Sequence, residues 1–247
     1  MPSRPAPSDQ GPDVPEPPVR RASAEWVAEQ LRARIIKGDL GPGARLVERR
    51  ISADLKVSRT PIREALKLLW ADGLVELSMH RGAQVTRYTA SEAADLFDLI
   101  AVIEALAAER FAERIDATAL DRLEETHARM RAFYEVRDVS AYFDCNTAIH
   151  DAIIAGARNP ILSASHEQVM RRAQRGRFLA IMDADRWAQA VEEHEAVMEA
   201  FRARDPREAA AVWCRHLRHT GETVAAVLRR RVEGAEGAHR TTSEADA

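Results

Sequence analysis

The sequence has 247 residues, of which 46% are hydrophobic and 30% charged, enough to bury the core of one large or two modest domains. Its only cysteines, Cys145 and Cys214, are too far apart in sequence to suggest a disulfide framework or a cysteine metal site, and no stretch approaches the roughly 18 apolar residues of a membrane span. The composition therefore argues against a disulfide-rich secreted protein and an integral membrane protein, and we expect a soluble cytoplasmic protein with two domains.

Charge is distributed unevenly, although the net charge of the whole chain is only −3. Residues 20–90 carry fourteen Lys and Arg against eight Asp and Glu, whereas residues 91–233 carry twenty against twenty-five. A phosphate-rich partner would be attracted to the basic N-terminal part. Chance clustering of solvated charges explains the same counts, so composition leaves both interpretations open.

The N-terminal part begins with a proline-rich stretch and continues as short helices. Seven of the eleven prolines fall within the first nineteen residues, so we expect residues 1–20 to form a disordered arm. Apolar residues at helical spacing predict helices over 23–37 and 48–55, the first of them ended by GDLGPG. The segment VSRTPIREALKLLWADGL predicts a third helix, with Ser58 or Thr60 as its cap and Pro61 in its first turn.

Two apolar-rich runs separated by His80, Arg81 and Gly82 follow this helix and predict a β-hairpin. Three short helices and a hairpin constitute a winged helix-turn-helix, whose third helix enters the major groove of DNA. Arginine can pair with guanine through two hydrogen bonds, and hydroxyl groups and other arginines can hold phosphates. Each arginine alone could be a solvated surface charge, but together they favour DNA contacts by Arg49, Ser58, Arg59, Thr60, Arg63, His80 and Arg81.

The run GPGARLVERRISADLKVSRTPIREALKLLWADGLVELSMHRGAQV resembles the DNA-binding domain of GntR-type bacterial transcription regulators. The recurring marks of that family are S-R-T-P-[VI]-R-E-A-L and the following G-L-V and R-G, and the resemblance covers residues 21–90. It implies that Arg49, Arg59, Arg63 and Gly82 stand at DNA-contacting positions.

Residues 91–233 contain six segments with helical periodicity and short polar breaks, which predicts an all-α bundle. We expect residues 234–247 to be a disordered tail. This half resembles the FadR type of GntR regulators, whose helical domain senses a ligand and dimerises. The predicted fold is therefore mainly α, a winged helix-turn-helix followed by a helical effector-binding and dimerisation domain.

Three histidines in this half lie on the apolar sides of three different predicted helices. They are His150, His194 and His216, and three inward imidazoles from separate helices could converge on a divalent metal. Three separately hydrogen-bonded core histidines would give the same pattern.

The resemblance favours the metal, because many FadR-type domains bind a divalent ion through an Asp-x-x-x-His pair and two later histidines. The residue four before His150 is Asn146, so we expect a three-histidine site with Asn146 as an optional fourth ligand, suited to Zn²⁺ or Ni²⁺. Ile100 stands where relatives often place an arginine near the ligand cavity, which puts recognition of a simple carboxylate by that route in doubt.

Candidate effector-binding residues come from a cationic segment and from one further histidine. Arg171, Arg172, Arg175 and Arg177 form a dense run, of which Arg171 and Arg175 are candidates for anchoring an anionic effector. His219, three residues after His216, could also face the cavity. A solvated surface is the alternative for all of them.

We therefore expect a homodimeric, sequence-specific transcription regulator, a repressor, that binds double-stranded DNA at a palindromic operator and senses an organic acid or sugar derivative. An architectural DNA-binding protein with an inert bundle is one alternative. A three-histidine metalloenzyme is another, but we expect no enzyme, because Glu192 and Glu193 should point away from His194 and no other general base is evident.

Overall fold

The computed structural model describes residues 23–78 and 82–245, with side chains described as far as Glu233. The predicted N-terminal arm, and His80 and Arg81 at the hairpin tip, lie outside the described residues. No helix in the described part of the chain is long and apolar enough to cross a membrane.

The N-terminal module is the predicted winged helix-turn-helix. The Ser23 hydroxyl caps the first helix by accepting a hydrogen bond from the Trp26 amide at 3.2 Å. The sheet is antiparallel in the order β1-β3-β2, with Leu46 and Leu77 on either side of Ala83, and its first strand was not predicted. The elements are α1 (Ala24–Lys37), β1 (Arg45–Leu46), α2 (Glu48–Leu55), α3 (Arg59–Ala71), β2 (Val75–Ser78) and β3 (Gly82–Val85).

The hydrophobic core of this module joins the inner faces of the helices to the sheet. Its buried residues include Val27, Leu31, Ile62, Leu69 and Val75. The predicted apolar stripe of α3 is therefore confirmed as buried, which leaves the opposite side of that helix to solvent.

Six helices follow in the described part of the chain, as predicted. Thr89 and Glu92 form a reciprocal capping box at the start of α4, and Asn159 with Pro160 begins α7. The helices are α4 (Ala90–Arg114), α5 (Ala117–Glu135), α6 (Val139–Gly156), α7 (Pro160–Ile181), α8 (Ala184–Ala203) and α9 (Pro206–Ala245).

The bundle has its own core, with α4 lying along α9. A Cβ added at Gly221 would lie 2.5 Å from the Cβ of Phe97, so only glycine lets the two helices approach so closely. Trp213, Tyr142 and Phe201 are among the largest fully buried side chains.

The helical backbone of α9 extends to Ala245, through most of the segment that we expected to be a disordered tail. The sequence after Pro206 contains no further proline, the residue that disrupts a helix interior most strongly.

The two modules meet where the end of α3 and one side of α1 contact α7. Asp72, the C-cap of α3, is 6% exposed and accepts hydrogen bonds from Arg32 of α1 at 2.6 Å and from Arg171 of α7 at 2.7 Å. Arg175 of α7 donates to the carbonyls of Ile35 and Leu40. The third helix is thus tied directly to a helix of the bundle.

Candidate nucleic-acid interface and metal centre

The start of α3 presents several donors to solvent. Ser58 is the N-cap in extended backbone geometry, but its hydroxyl makes no capping hydrogen bond. Ser58, Arg59 and Thr60 are all exposed, and the partial positive charge of a helix N-terminus lies beside them. This end of α3 is therefore suited to an anionic partner such as a DNA phosphate.

The arginines predicted to contact DNA are exposed as well. Among the described residues, Arg49 and Arg59 have no hydrogen-bond or ion-pair partner. Arg63 lies 3.0 Å from Glu48 through its Nε atom, yet 63% of its side chain is exposed. The guanidinium groups of these three residues face solvent rather than the core, as a reading surface requires.

Gly82 begins the third strand of the wing with a φ of 71°. A Cβ at this position would meet no atom within 4 Å, so the backbone conformation, and not a lack of space, favours glycine. The residue is exposed next to the hairpin tip.

The three predicted histidines converge in the core of the bundle. His150 comes from α6, His194 from α8 and His216 from α9, and one ring nitrogen of each lies within 4.8 Å of those of the others. The three residues are 0%, 0% and 4% exposed. The prediction that they converge is confirmed.

Two of these rings are oriented by carboxylates. The Nδ1 of His150 lies 2.5 Å from Glu104 Oε2, and the Nδ1 of His216 lies 2.7 Å from Glu193 Oε2. When Nδ1–H donates to a carboxylate, Nε2 carries the lone pair that a metal requires. Metal-bound histidines almost always donate their other ring N–H in this way, to a carboxylate, a backbone carbonyl or water.

The remaining ring nitrogens fit a metal. His150 Nε2 and both nitrogens of His194 are buried without a hydrogen-bond partner among the described residues. Buried polar atoms are rarely left unpaired in folded proteins. The residues present therefore match a divalent metal better than they match three separately satisfied histidines.

The histidines are held in the neutral form. Burial, together with the charge of Arg177, lowers the pKa of His150 to about 3. Burial lowers the pKa values of His194 and His216 as well. Neutral imidazole is the form that binds a metal, so the site needs no proton release from these rings at neutral pH.

Asn146 lies one turn before His150 on α6 and is 4% exposed. Its amide oxygen has no hydrogen-bond partner among the described residues. It lines a small cavity together with His216, Arg177 and Arg186. Asn146 as an optional fourth ligand stays a prediction.

Glu104 is a central residue of the site that the sequence analysis did not identify. Its carboxylate is 0% exposed and accepts hydrogen bonds from His150, from His166 Nε2 at 2.9 Å and from Trp213 Nε1 at 2.9 Å. Burial opposes ionisation, but His150 and His166 hold the pKa of Glu104 well below its ordinary value. The sequence did contain a signal, because Glu104 lies on the apolar stripe formed by Phe97, Ile100, Ala107, Ala108 and Phe111.

Our expectation that Glu193 points away from the cluster is wrong. Its Oε2 contacts His216, and its Oε1 lies 2.6 Å from His219 Nδ1. Burial raises the pKa of Glu193, but the hydrogen bonds from His216 and His219 and the nearby charge of Arg186 together outweigh this effect, and the pKa falls to about 2. Helical rotation points the side chains of Glu193 and His194 in different directions from α8. It does not exclude a contact between Glu193 and His216, because α9 packs against α8 on the side that Glu193 faces.

The three candidate effector residues are placed differently from one another. His219 contacts the cluster through Glu193 and has 31% of its side chain exposed. Arg171 and Arg175 lie at the junction with the N-terminal module, where their guanidinium groups make hydrogen bonds, and not beside the histidines.

Two other arginines lie nearer the histidines. On the same helix as Arg175, Arg177 faces the core, because two residues after Arg175 the side chain has rotated by roughly 200°. Arg186 of α8 also lies beside the histidines and hydrogen-bonds to the carbonyl of His216.

Comparison with known proteins agrees with this division of the chain. The model of the gntR family of bacterial regulatory proteins matches residues 23–85, and the model of the FCD domain matches residues 95–219. The solved structure of E. coli McbR/YncC has the same fold, with a TM-score of 0.71 at 21% identity over 85% of this chain and 98% of that one.

Curated relatives are regulators of transcription and not enzymes. An HTH-type transcriptional regulator of Bacillus subtilis, YdhC, is 27% identical over 203 residues, which is 81% of this chain and 89% of the relative. The gluconate operon transcriptional repressor of Bacillus licheniformis is 31% identical over 136 residues, 55% of each chain. A GntR match over the winged helix-turn-helix is thus followed by an FCD match over the bundle, and the chain belongs to the GntR family of bacterial transcription regulators that carry an FCD domain.

Proposed function

We propose that this regulator is a homodimeric, sequence-specific repressor of the FadR type. Residues 21–90 would read a palindromic operator, and residues 91–233 would dimerise and sense a small organic metabolite beside a divalent metal. The observation that supports DNA reading most strongly is the exposed guanidinium of Arg59 on the first turn of α3, which has no partner in the described part of the chain.

In the proposed complex, α3 lies in the major groove with its N-terminus toward the bases. Arg59 and Arg63 would contact base edges, Arg63 by exchanging Glu48 for guanine. Ser58, Thr60 and Arg49 would hold phosphates and so fix the register, and the wing residues His80, Arg81 and Gly82 would approach the minor groove.

The proposed metal ligands are His150 through Nε2, His194, His216 and the amide oxygen of Asn146. Three neutral nitrogens and one uncharged oxygen suit Zn²⁺ or Ni²⁺ better than harder ions. When bound, such an ion would supply a Lewis acid to which an oxygen of the effector can bind. Glu104 and Glu193 would keep two of the ligand rings in the correct tautomer.

The effector is proposed to be an organic acid or a sugar derivative. The gluconate operon repressor among the relatives supports this class, because its name refers to a sugar acid. Through Glu193, His219 lies at the margin of the histidine cluster and is a candidate contact. Arg171 and Arg175 would act in the response instead, since they join α7 to Asp72 and to the end of α1.

Operator binding by wild-type protein and Arg59→Ala tests this function. We expect the wild type to prefer DNA from upstream of its own gene over a random duplex, with a steep dependence on salt. Arg59→Ala should lose about 1–3 kcal/mol of that discrimination, because one bidentate guanine contact disappears. Competition gel shifts measure both quantities.

The matched control is Arg122→Ala, which removes an exposed arginine from α5 in the other module. It should bind the operator as the wild type does. A wild type with no preference over random DNA, or an Arg59→Ala variant with unchanged discrimination, would contradict the proposed reading surface.

A further inference from the structure

The junction of the two modules contains a large cleft whose lining includes none of the three clustered histidines. Its volume is about 630 Å³, within the range of roughly 300–1,000 Å³ that is typical of small-molecule sites. One wall belongs to α1 and the end of α3, and the other belongs to α6 and α7. A ligand in this cleft would therefore contact the DNA-binding module and the bundle at the same time.

The lining of the cleft carries an excess of negative charge. It contains five carboxylates and only two guanidinium groups, those of Arg32 and Arg171. Each of these arginines already contacts Asp72 and one further carboxylate. The five carboxylates belong to Glu25, Glu29, Asp72, Asp151 and Glu167. The arginines are thus paired within the protein, and the charge that remains is negative.

Two of the carboxylates stand on opposite walls without a charged partner. Glu25 of α1 and Asp151 of α6 are exposed and form no ion pair among the described residues. Negative charges on both walls of one cleft repel each other, and a bound cation would relieve that repulsion.

A buried histidine supplies a further, independent acceptor. His166 of α7 is 4% exposed and lines the cleft. Its Nε2 lies 2.9 Å from Glu104 Oε1, and because a carboxylate accepts the Nε2–H, Nδ1 carries the lone pair. This Nδ1 has no hydrogen-bond partner among the described residues. Since the rest of the ring is buried, the donor that Nδ1 lacks would come from the cleft.

Apolar side chains also line the cleft. Leu68 near the end of α3 is 39% exposed, whereas Ile154 and Met170 on the bundle side are 6% and 4% exposed. A hydrated inorganic cation gains nothing from such surfaces, but a hydrocarbon chain does. The lining therefore fits an organic cation better than a metal ion.

We propose that this cleft is a second ligand site, which binds an organic diamine through its two ammonium groups. One ammonium would contact Asp151 and the other Glu25, with His166 Nδ1 accepting one of the N–H groups. The methylene chain would pack against Leu68 and Met170. An ammonium group has three N–H donors and no acceptor, which matches a lining rich in acceptors. The inference goes beyond the proposed function, because it requires neither the metal nor the effector of the histidine site.

Binding in the cleft would act on the junction itself. Asp72, the C-cap of α3, lines the cleft together with Arg171 of α7. A diamine held by α1 and α6 would fix the distance between the two modules, and with it the placement of α3 relative to the bundle. The site is thus placed to regulate operator binding from outside the histidine cluster.

Calorimetric titration and thermal unfolding of the full chain with 1,4-diaminobutane, at constant ionic strength, test this site. We expect saturable binding and a rise in the melting temperature. Butylamine, which has one ammonium group, should bind about tenfold more weakly, and 1,4-butanediol should not bind. An equal response to MgCl₂ would refute the organic ligand, since it would reflect the negative charge of the cleft alone.

Glu25→Gln and Asp151→Asn each remove one carboxylate with little change in the size of the side chain. Each should weaken the binding of 1,4-diaminobutane about tenfold, because only one ammonium group is then held. Asp121→Asn, which changes an exposed carboxylate on α5, is the matched control and should bind as the wild type does. Glu25 lies in the other module from the histidines, so Glu25→Gln still tests the site if Asp151→Asn, beside His150, does not fold.

The site is refuted if the wild type shows no diamine-specific binding, or if a folded variant of Glu25 or Asp151 binds 1,4-diaminobutane as tightly as the wild type. Neither measurement contains DNA. A failure here therefore leaves operator reading intact, and a failure of operator binding leaves this result intact.

Discussion

Arg59 and Arg177 are the same residue type in opposite surroundings, and both lack a charged hydrogen-bond partner among the described residues. Arg59 is exposed on the first turn of α3, where water solvates its charge at little cost. Arg177 is 3% exposed in the bundle core, where bulk water does not reach its guanidinium. An arginine without a protein partner therefore costs little free energy on the surface of α3 and much more in the core of the bundle.

The carboxylates differ between the two regions in the same way. Glu64 on α3 is 53% exposed and pairs with Lys67 at 2.8 Å, a surface contact of small energetic value. Glu104 in the bundle core is fully buried and holds three donors. Substitutions on the exposed side of α3 should therefore cost little stability. Substitutions at the histidine site should cost more, because its hydrogen bonds help to hold the bundle together.

The largest effect on stability should come from Glu104→Leu. Removal of the carboxylate leaves the ring nitrogens of His150 and His166 and the indole N–H of Trp213 without an acceptor, at about 1–3 kcal/mol each. We expect the free energy of unfolding to fall by about 3–5 kcal/mol, measured by urea denaturation of the metal-free protein.

Glu64→Leu applies the same chemical change to the exposed region and should alter the free energy of unfolding by less than about 1 kcal/mol. If Glu104→Leu and Glu64→Leu lowered the free energy of unfolding equally, Glu104 would not be a structural centre of the bundle. That result would contradict the difference between the two regions.

The pH dependence of stability should be the next largest effect and should also arise in the bundle. The pKa of His150 is about 3 in the folded protein against an ordinary value of 6.5, and the pKa values of His194 and His216 are lowered too. Below about pH 6.5 the unfolded chain takes up protons that the folded protein does not, so stability present above that pH is lost as the pH falls.

For each of these histidines, the free energy of unfolding should fall by up to about 1.4 kcal/mol for each pH unit below about pH 6.5. Urea denaturation of the metal-free protein at about pH 7.5 and about pH 5.5 measures the loss. A constant free energy of unfolding across this interval would show that the rings are not buried in the neutral form.

Much of the fold could be predicted from the sequence, because helical periodicity and caps are local signals. The spacing of Ile62, Leu66 and Leu69 predicts the buried side of α3, and the same helical periodicity predicts the six helices of the bundle. The convergence of His150, His194 and His216 was predictable because each lies on an apolar stripe.

The partners of those residues depend on how the helices pack, which no local pattern reveals. Arg171, Arg175 and Arg177 look alike in the sequence, yet the first two contact the N-terminal module and the third faces the histidines. The contact of Glu193 with His216 requires the position of α9 relative to α8. Glu104 is the exception, since a lone carboxylate on an apolar stripe was a visible signal.

The metal content of His194→Ala is the decisive measurement for the histidine site. His194 is fully buried and both of its ring nitrogens lack a partner among the described residues, so it is the residue that a metal explains best. Elemental analysis of the purified protein should find one divalent ion per chain in the wild type and in the control His219→Ala, and almost none in His194→Ala. Equal metal content in wild type and His194→Ala, or no metal in the wild type after loading with Zn²⁺ or Ni²⁺, would contradict the proposed metal centre.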